Sequence, residues 1–242
     1  MDKVSVIIPT FNRFIFLLNT IKSVKKQTYS NIEIIVINDC STEKEYYTFD
    51  FNKHFGDNLI VINLPKNSKE KFGYPCVGYV RNKGIERSTG KYIAFCDDDD
   101  IWFPKKIELQ INAMKKTDCK MSSTDGLFGL GIYNENELEK YKKNKQMRYR
   151  KIKKIHRRAK SEYLENGFPK IWTYDFIKIH NCVVNSSVIV DKNILVKVGM
   201  VPYDRRGQDY KCWLNVLKHT DSVYVTDICF YYDKKHGRGK TH

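Results

Sequence analysis

Four consecutive aspartates, Asp97, Asp98, Asp99 and Asp100, form a dense block of carboxylates in the sequence. They directly follow residues 92–96 (YIAFC), an apolar run typical of a buried strand. An unperturbed aspartate has a pKa of about 3.9, so neighbouring side chains repel one another at neutral pH unless a cation neutralises them. Carboxylate oxygens are hard ligands for Mg²⁺ or Mn²⁺, and one or two of them leave metal positions open for substrate phosphates. The block therefore predicts a divalent-metal site.

A calcium-binding loop and a solvated acidic turn are the alternatives for residues 97–100. An EF-hand loop needs glycine at its sixth position, and that position, counted from Asp97, is Trp102. The sequence therefore does not fit an EF-hand, while composition alone leaves a solvated turn open.

Length and cysteine content limit the class of protein. A chain of 242 residues is long enough for one large α/β domain with a substantial core. The seven cysteines are scattered without a CxxC pair, which predicts neither a zinc site nor a disulfide framework and favours a reducing compartment. The sequence shows no long apolar window and no signal-peptide pattern, so we expect a soluble, cytoplasmic protein. The net charge of +15 implies attraction to polyanions such as nucleotide diphosphates, anionic lipid surfaces, acidic glycans or nucleic acid.

Apolar runs alternate with helical spacing in the first half of the chain. The predicted strands are residues 4–9, 32–39, 59–64 and 92–96, and the predicted helices are residues 14–26, 41–55 (capped by Ser41), 77–86 and 105–116. This alternation predicts a doubly wound, mainly parallel, Rossmann-like α/β sheet whose ligands bind beyond the carboxyl ends of the strands. Asp39 and the aspartate block both lie at those ends.

The pattern changes after residue 125. We interpret GLFGLG at residues 126–131 as a loop, and residues 137–160, which carry most of the excess charge, as an exposed amphipathic helix. The α/β pattern returns with strands at residues 183–190, 222–227 and 228–232 and helices at 192–198 and 208–218. We therefore expect a single domain made of a nucleotide-binding half (1–125), a variable basic insertion (126–180) and an acceptor and catalytic half (181–242).

Four motifs occur in a characteristic order: VSVIIPTFNR at residues 4–13, NDCST at 38–42, YVRNKGI at 79–85 and DDDDIW at 97–102. Together they resemble the family 2 glycosyltransferases of the GT-A fold, over nearly everything except roughly residues 126–180. The resemblance implies a single nucleotide-binding domain that moves a sugar from a nucleotide donor, usually UDP-linked. It also implies inversion at the anomeric carbon and a divalent metal.

The same resemblance implies roles for residues in the nucleotide-binding half. Asp39 matches the carboxylate that accepts from the uracil N3–H, while Arg81 and Asn82 match a pair that steadies the donor phosphates and the acidic loop. Capping of the turns after each strand and an exposed salt bridge of Arg81 are the alternatives. The residues matched to the nucleotide pocket are Pro9, Thr10, Phe11 and Arg13.

The family pattern places the metal on the second carboxylate of a DxD motif. We expect Asp99 as the ligand, Asp98 or Asp97 towards the ribose or a coordinated water, and Asp100 as support for the ligands. Four consecutive aspartates leave this assignment open by one position.

Two further groups are implied in the C-terminal half. Asp209 takes the place of the family base, with Gln208 where the family commonly has glutamate, and a helix N-terminal acid is the alternative interpretation. His236 is expected near the metal or diphosphate, although a histidine in a tail is more often solvated.

The sequence thus predicts a Mn²⁺- or Mg²⁺-dependent, inverting transfer of a sugar from a UDP-sugar to a hydroxyl of a glycan, lipid or protein. A nucleotidyltransferase is the first alternative, but TFNRF lacks the glycine-rich basic loop expected after strand one. The second is a protein that binds nucleic acid or another polyanion through residues 140–160, although no RNP or zinc-finger pattern supports specific nucleic-acid binding. That basic segment could also be a solvated face, or could contact an anionic surface peripherally.

Overall fold

A computed structural model describes residues 1–235, with the side chains of residues 144–147 outside the description. The strands are β1 (Val4–Thr10), β2 (Ile32–Asn38), β3 (Leu59–Asn63), β4 (Tyr92–Phe95), β5 (Ile101–Trp102), β6 (Met121–Gly129), β7 (Lys142–Lys143), β8 (Ile171–Trp172), β9 (Ile189–Asp191) and β10 (Ser222–Asp233). The helices are α1 (Phe14–Lys25), α2 (Glu45–Thr48), α3 (Phe51–Phe55), α4 (Ser68–Phe72), α5 (Val77–Arg87), α6 (Lys106–Thr117), α7 (Asn144–Arg158), α8 (Tyr174–Ile179), α9 (Lys192–Lys197) and α10 (Gln208–Leu217). Two 3₁₀ turns span Glu135–Lys140 and Asn185–Ser187.

The strands form one mixed, mainly parallel sheet in the order β3-β2-β1-β4-β9-β6-β10-β5, with β7 beside β6 and β8 beside β10. Strands β3, β2, β1 and β4 are mutually parallel. Strand β9 runs antiparallel to both β4 and β6, so β4 and β6 point in the same direction, as does β10. The carboxyl ends of β1, β2, β4, β6 and β10 therefore share one edge of the sheet. The predicted α/β class and mainly parallel sheet are confirmed.

Burial on both faces explains the apolar runs of the first strands. In β1, Val6 and Ile8 face one core cluster while Ile7 faces the other, as the period of two requires. Helix α1 covers the first face with Leu17, and α5 covers the second with Ile85. Full burial of each such side chain stabilises the fold by about 1.5–3 kcal/mol.

The prediction of a loop at residues 126–131 is wrong, because β6 continues to Gly129. A Cβ on Gly126 would lie 2.5 Å from the ring of Phe230, and one on Gly129 would lie 2.6 Å from Tyr231. Aromatic rings of the neighbouring strand fill the space of the missing side chains. These glycines therefore mark close packing inside a strand rather than a turn.

Three other boundaries differ from the sequence predictions. Residues 41–55 form the two short helices α2 and α3 instead of one, and the Ser41 hydroxyl accepts from the Asn12 N–H (2.9 Å) rather than capping a helix. Residues 183–190 form the 3₁₀ turn Asn185–Ser187 followed by the short strand β9. The two strands expected at 222–232 are a single strand, β10, with an irregular register between Val225 and Ile228.

The basic segment folds as α7, which is amphipathic as predicted but packs firmly on the domain. Ile152 is 2% exposed within the second core cluster, and the ring of the buried His156 lies 5.1 Å from that of Phe176. Strands β7 and β8 join the flanking parts of residues 126–180 to the sheet. Across residues 1–235, we find no helix with both the length and the apolar character needed to cross a membrane.

Candidate active site

The four aspartates form a tight turn, here called the acidic turn (residues 97–100), after β4. The Asp100 N–H donates to the Asp97 carbonyl (3.2 Å). The Thr20 hydroxyl on α1 lies 2.9 Å from the Asp98 carbonyl and 2.8 Å from the Asp100 carbonyl. The next residues form β5, which pairs with β10. The backbone of the turn is thus fixed from two sides.

Two arginines hold three of the four carboxylates of the acidic turn. Arg81 on α5 donates to Asp97 (2.7 Å), which also accepts from the Asn185 amide (2.9 Å). Arg13, just before α1, donates from one nitrogen to both Asp98 (3.2 Å) and Asp99 (3.0 Å). Arg81 thus contacts the acidic turn itself and does not form the exposed helix salt bridge that was the alternative interpretation.

The acidic turn holds more carboxylate than these arginines neutralise. Burial raises the pKa of Asp98 although Arg13 opposes the shift, and burial together with repulsion from Asp98 and Asp97 raises the pKa of Asp99. Asp100 is 0% exposed, and burial followed by repulsion from its neighbours raises its pKa. One Asp100 oxygen accepts from the Asp233 N–H (3.2 Å), while the other has no hydrogen-bond partner among the described residues. An added cation would relieve this excess of negative charge.

The donor set fits a divalent metal that is shared with a ligand. Hard carboxylate oxygens suit Mg²⁺ or Mn²⁺, which are held by one or two carboxylates plus phosphates and water. Within residues 1–235, no group of three or more His, Cys, Asp or Glu side chains is arranged to hold a metal on its own. A metal at Asp98 and Asp99 would therefore need oxygens from a bound nucleotide or from water.

A cavity of about 470 Å³ brings most of the predicted site together. Its lining includes nine of the residues expected from sequence: Pro9, Thr10, Phe11, Arg13, Asp39, Arg81, Asp97, Asp98 and Asp99. It also includes six that sequence reasoning did not assign to the pocket: Pro75, Val77, Val80, Arg205, Arg206 and Gln208. The volume lies in the range of small-molecule and cofactor sites, which is about 300–1,000 Å³.

Asp39 is positioned by the start of α4. Its two oxygens accept from the Ser68 N–H (2.7 Å) and the Ser68 hydroxyl (2.6 Å), and burial raises its pKa despite these bonds. A carboxylate oxygen has two acceptor positions, so both oxygens keep capacity for a ligand donor. Sequence reasoning missed Ser68, which lies in the polar stretch NSKEK without a distinguishing motif.

Tyr46 is a second supporting residue that sequence reasoning missed. It is 2% exposed, its hydroxyl lies 2.6 Å from the Thr10 hydroxyl, and it accepts from the Arg13 N–H (3.0 Å). Burial raises the pKa of Tyr46 to about 12, so it stays protonated and can serve both partners. Nothing in the pair Tyr46–Tyr47 indicates which tyrosine turns inward.

Asn82 lies away from the cavity lining. Its amide donates to the Val201 carbonyl (2.9 Å) and accepts from the Val201 N–H (3.0 Å). A Cβ on Gly78 would lie 2.2 Å from the Pro202 carbonyl oxygen, so only glycine permits this close approach of α5. Asn82 and Gly78 therefore hold against α5 the segment at Val201 and Pro202, which leads to Arg205 and Arg206.

The C-terminal predictions have different outcomes. Asp209 lies in the first turn of α10 and is half-buried, and its neighbour Gln208, rather than Asp209 itself, lines the cavity. His236 lies outside the described residues. Arg205 and Arg206 are exposed, line the cavity, and form no ion pair with the part of the chain that the structure describes. The only signal for them was their position just before the predicted acidic helix start.

Most of the chain matches a known protein family. A family model described as glycosyl transferase family 2 matches residues 5–174. The chain belongs to this family. The match includes the loops after β1 and β2, α5 and the acidic turn, and it extends through α7.

Named relatives are glycosyltransferases. TuaG of Bacillus subtilis (strain 168), whose name assigns it provisionally to teichuronic acid biosynthesis, is 27% identical over 226 residues, covering 93% of this chain and 76% of TuaG. WfgD of Escherichia coli, a UDP-Glc:alpha-D-GlcNAc-diphosphoundecaprenol beta-1,3-glucosyltransferase, is 27% identical over 231 residues, covering 95% of this chain and 76% of WfgD. Family membership and these relatives make this protein a glycosyltransferase.

Solved structures support the GT-A fold. S. aureus TarS superposes with a TM-score of 0.70 at 17% identity, covering 96% of this chain and 36% of that chain. TarS 1–349 in complex with UDP-GlcNAc gives 0.67 at 18% identity, covering 97% of this chain and 59% of that one. This chain also spans 26–30% of three matching Rickettsia glycosyltransferases, so these similar proteins carry long additional segments.

Proposed function

We propose that this protein transfers a sugar from a UDP-sugar to a hydroxyl acceptor, with inversion and with the help of Mn²⁺ or Mg²⁺. One observation carries the proposal: an incompletely neutralised acidic turn shares a nucleotide-sized cavity with Asp39 and four arginines. Cytoplasmic location is also part of the proposal, since seven free thiols suit a reducing compartment.

Asp39 supports UDP as the nucleotide. A carboxylate can only accept hydrogen bonds, which suits the uracil N3–H and disfavours a base with an acceptor at that position. The Ser68 bonds fix both Asp39 oxygens, so the acceptor is already oriented before a nucleotide binds. The name of WfgD and the UDP-GlcNAc complex of TarS agree with such a donor.

Asp99 and Asp98 are the groups we assign to the metal and the ribose. A bound divalent metal would supply charge neutralisation for the diphosphate as it leaves. Arg13 keeps both carboxylates in place from one side. Arg205 and Arg206, which have no ion pair with described residues, supply positive charge along the cavity wall for the same diphosphate.

Asp209 is the base in this proposal. It would take the proton from the acceptor hydroxyl as that oxygen attacks the anomeric carbon from the face opposite the nucleotide, which inverts the configuration. Base catalysis of this type contributes roughly 10²–10⁴-fold to the rate. Because Gln208 is neutral, Asp209 has no carboxylate beside it at the start of α10.

A screen of nucleotide sugars tests the proposal. The protein would be incubated with UDP-, GDP- and dTDP-sugars and Mn²⁺, and release of the nucleoside diphosphate would be measured, with EDTA and Asp99→Asn as matched controls. We expect release from a UDP-sugar that both controls abolish. Release that is unchanged in EDTA would contradict the role of the metal. Turnover of only those nucleotide sugars that carry a nucleobase other than uracil would contradict the role of Asp39. Release of pyrophosphate from UTP and a sugar 1-phosphate would favour a nucleotidyltransferase instead.

A further inference from the structure

Helix α7 presents a continuous basic face to solvent. The other exposed cations lie one, four, seven and eight residues after Arg150, and this spacing places them on one side of the helix. The helix contains no acidic residue, and none of these five cations forms an ion pair within residues 1–235. This basic face consists of Arg150, Lys151, Lys154, Arg157 and Arg158.

The opposite side of α7 is anchored to the domain, so the basic face is held in a fixed orientation. The Tyr149 hydroxyl donates to the Leu164 carbonyl (2.7 Å), and Arg148 donates to the Asn181 carbonyl (2.9 Å). Ile152 is buried in the core. A face held in this way differs from a flexible, solvated charge run, because its cations stay together without an opposing charge.

An exposed apolar loop adjoins the segment that enters α7. Leu130 is 74% exposed and Ile132 is 59% exposed, directly after β6. Strand β7 pairs with the end of β6, Lys142 opposite Phe128, so two exposed lysines lie beside this loop at the start of α7. Residues 130–160 contain twelve lysines and arginines against three glutamates, a net +9 of the chain's +15.

We infer that the basic face of α7 and the apolar loop at residues 130–132 form a docking surface for an anionic lipid bilayer. Clustered bases are attracted to anionic headgroups, and exposed Leu and Ile side chains gain free energy by entering the interface. The apolar loop favours a bilayer over nucleic acid, since single-stranded nucleic acid is bound through aromatic stacking and duplexes through polar contacts. Docking does not depend on the proposed reaction.

The docking surface is connected to the acidic turn by two hydrogen bonds. The Gly131 N–H donates to the Asp233 carboxylate (2.9 Å), and the Asp233 N–H donates to the Asp100 carboxylate (3.2 Å). The loop follows the carboxyl end of β6, at the same edge of the sheet as the acidic turn. A protein bound through this loop would therefore hold that edge near the bilayer.

Vesicle co-sedimentation of the full chain tests the inference. Sucrose-loaded vesicles of phosphatidylcholine alone would be compared with vesicles that also contain phosphatidylglycerol. We expect binding only to the anionic vesicles, weakened by salt. Substitution of all five basic-face residues with Gln removes their charge and should lower the partition coefficient by more than about 100-fold. Each Lys or Arg side chain near an anionic surface raises this coefficient roughly fivefold.

The matched control removes the same charge from exposed lysines elsewhere, by substituting Lys22, Lys26, Lys44, Lys116 and Lys197 with Gln. It should keep most of the binding, and circular dichroism should show both variants folded. Equal losses in the two variants, or no binding of the wild type to anionic vesicles, would overturn the docking surface. Tighter wild-type binding to an oligonucleotide than to vesicles, lost with the basic face, would overturn it in favour of nucleic acid.

A separate pair of variants tests the apolar loop. Leu130→Ser with Ile132→Ser should weaken vesicle binding by at least about tenfold, from the loss of buried apolar area. The control, Ile15→Ser with Val196→Ser, changes two other exposed apolar residues and should have no effect. Unchanged binding of the loop variant would remove the loop from the docking surface.

Discussion

Buried carboxylates have opposite pKa shifts at the two edges of the sheet, the amino edge where the parallel strands begin and the carboxyl edge where they end. At the amino edge, Glu33 on β2 is 4% exposed and accepts from the Ser5 hydroxyl, from the Thr89 N–H (2.6 Å) and hydroxyl (2.7 Å), and from Lys3 (2.9 Å). Burial opposes its charge, but these bonds outweigh it and lower the pKa of Glu33 to about 2. At the carboxyl edge, burial and mutual repulsion raise the pKa values of Asp98, Asp99 and Asp100 instead.

This difference separates a structural carboxylate from a functional group. Glu33 is surrounded by enough donors that its charge stabilises the fold. Among the described residues, one Asp100 oxygen of the acidic turn has no hydrogen-bond partner and the carboxylates repel one another, which supports the proposed binding of a metal and a nucleotide there. The amino edge should therefore respond to mutation in stability, and the carboxyl edge in binding and catalysis.

The largest effect is expected at the carboxyl edge, from Asp209→Asn. This variant keeps the shape of the side chain but removes the proposed base, so kcat should fall by roughly 10²–10⁴-fold. Transfer to acceptor would be measured once a donor is known, with melting temperature and UDP affinity as controls that should not change. Wild-type transfer by the variant would remove Asp209 from the mechanism and direct attention to Asp204.

At the amino edge, Glu33→Gln should lower the free energy of unfolding by about 2–3 kcal/mol at pH 7, since charged hydrogen bonds are lost and donors are left unpaired. The folded-state pKa lies below the unfolded value of 4.5, so the stabilisation by Glu33 is complete above that value. It should disappear as the pH falls towards 2. Urea titrations of both proteins across this range measure it, and a difference that does not shrink with acid would contradict the role of the charge.

The part of the cavity around Asp39 is the proposed binding site for uracil. Asp39→Ala should weaken UDP binding by about 1.5–3 kcal/mol, the contribution of a hydrogen bond to a charged group. Pyrophosphate binding should not change, because only the proposed contact to uracil is lost. Calorimetry with both ligands tests this, and equal losses would indicate a disturbed fold or a different nucleotide orientation.

The smallest effect is expected in the stability of the free protein when a carboxylate of the acidic turn loses its charge. Asp99→Asn should leave the free protein as stable as the wild type or up to about 1 kcal/mol more stable, because it removes a buried, repelled charge while Arg13 keeps Asp98 as a partner. A raised folded-state pKa means that the folded wild type binds more protons, so its stability falls as the pH rises through that shifted range. The variant should lack this decline in metal-free urea titrations. A loss of several kcal/mol would show that Asp99 is structural, as Glu33 is.

Local patterns predicted the parts of the site that are contiguous in sequence. The acidic turn and Asp39 each follow an apolar strand, residues 9–11 lie at the carboxyl end of β1, and parallel strands bring these ends to one edge. The same logic predicted most strands and helices of the first half of the chain. It failed at Gly126 and Gly129, where aromatic rings on β10, about a hundred residues later, decide the conformation.

The rest of the site depends on contacts that no local pattern encodes. Asn82 is drawn to the Val201 backbone, far along the chain, and so supports the segment that leads to Arg205 and Arg206 instead of lining the cavity. The buried Tyr46 hydroxyl forms hydrogen bonds with the Thr10 hydroxyl and the Arg13 N–H, and these contacts are visible only in three dimensions. Loops that meet through tertiary contacts therefore remained beyond sequence reasoning.

The metal dependence of UDP binding decides whether the acidic turn is the nucleotide site. Isothermal titration of UDP would compare the wild type, Asp99→Asn and Glu33→Gln in Mn²⁺, with a parallel series in EDTA. We predict that EDTA and Asp99→Asn each weaken UDP binding by at least about tenfold, and that EDTA has no further effect on Asp99→Asn. Glu33→Gln should bind as the wild type does. Equal UDP affinity of the wild type in Mn²⁺ and in EDTA would contradict the assignment of the acidic turn as the metal-dependent nucleotide site.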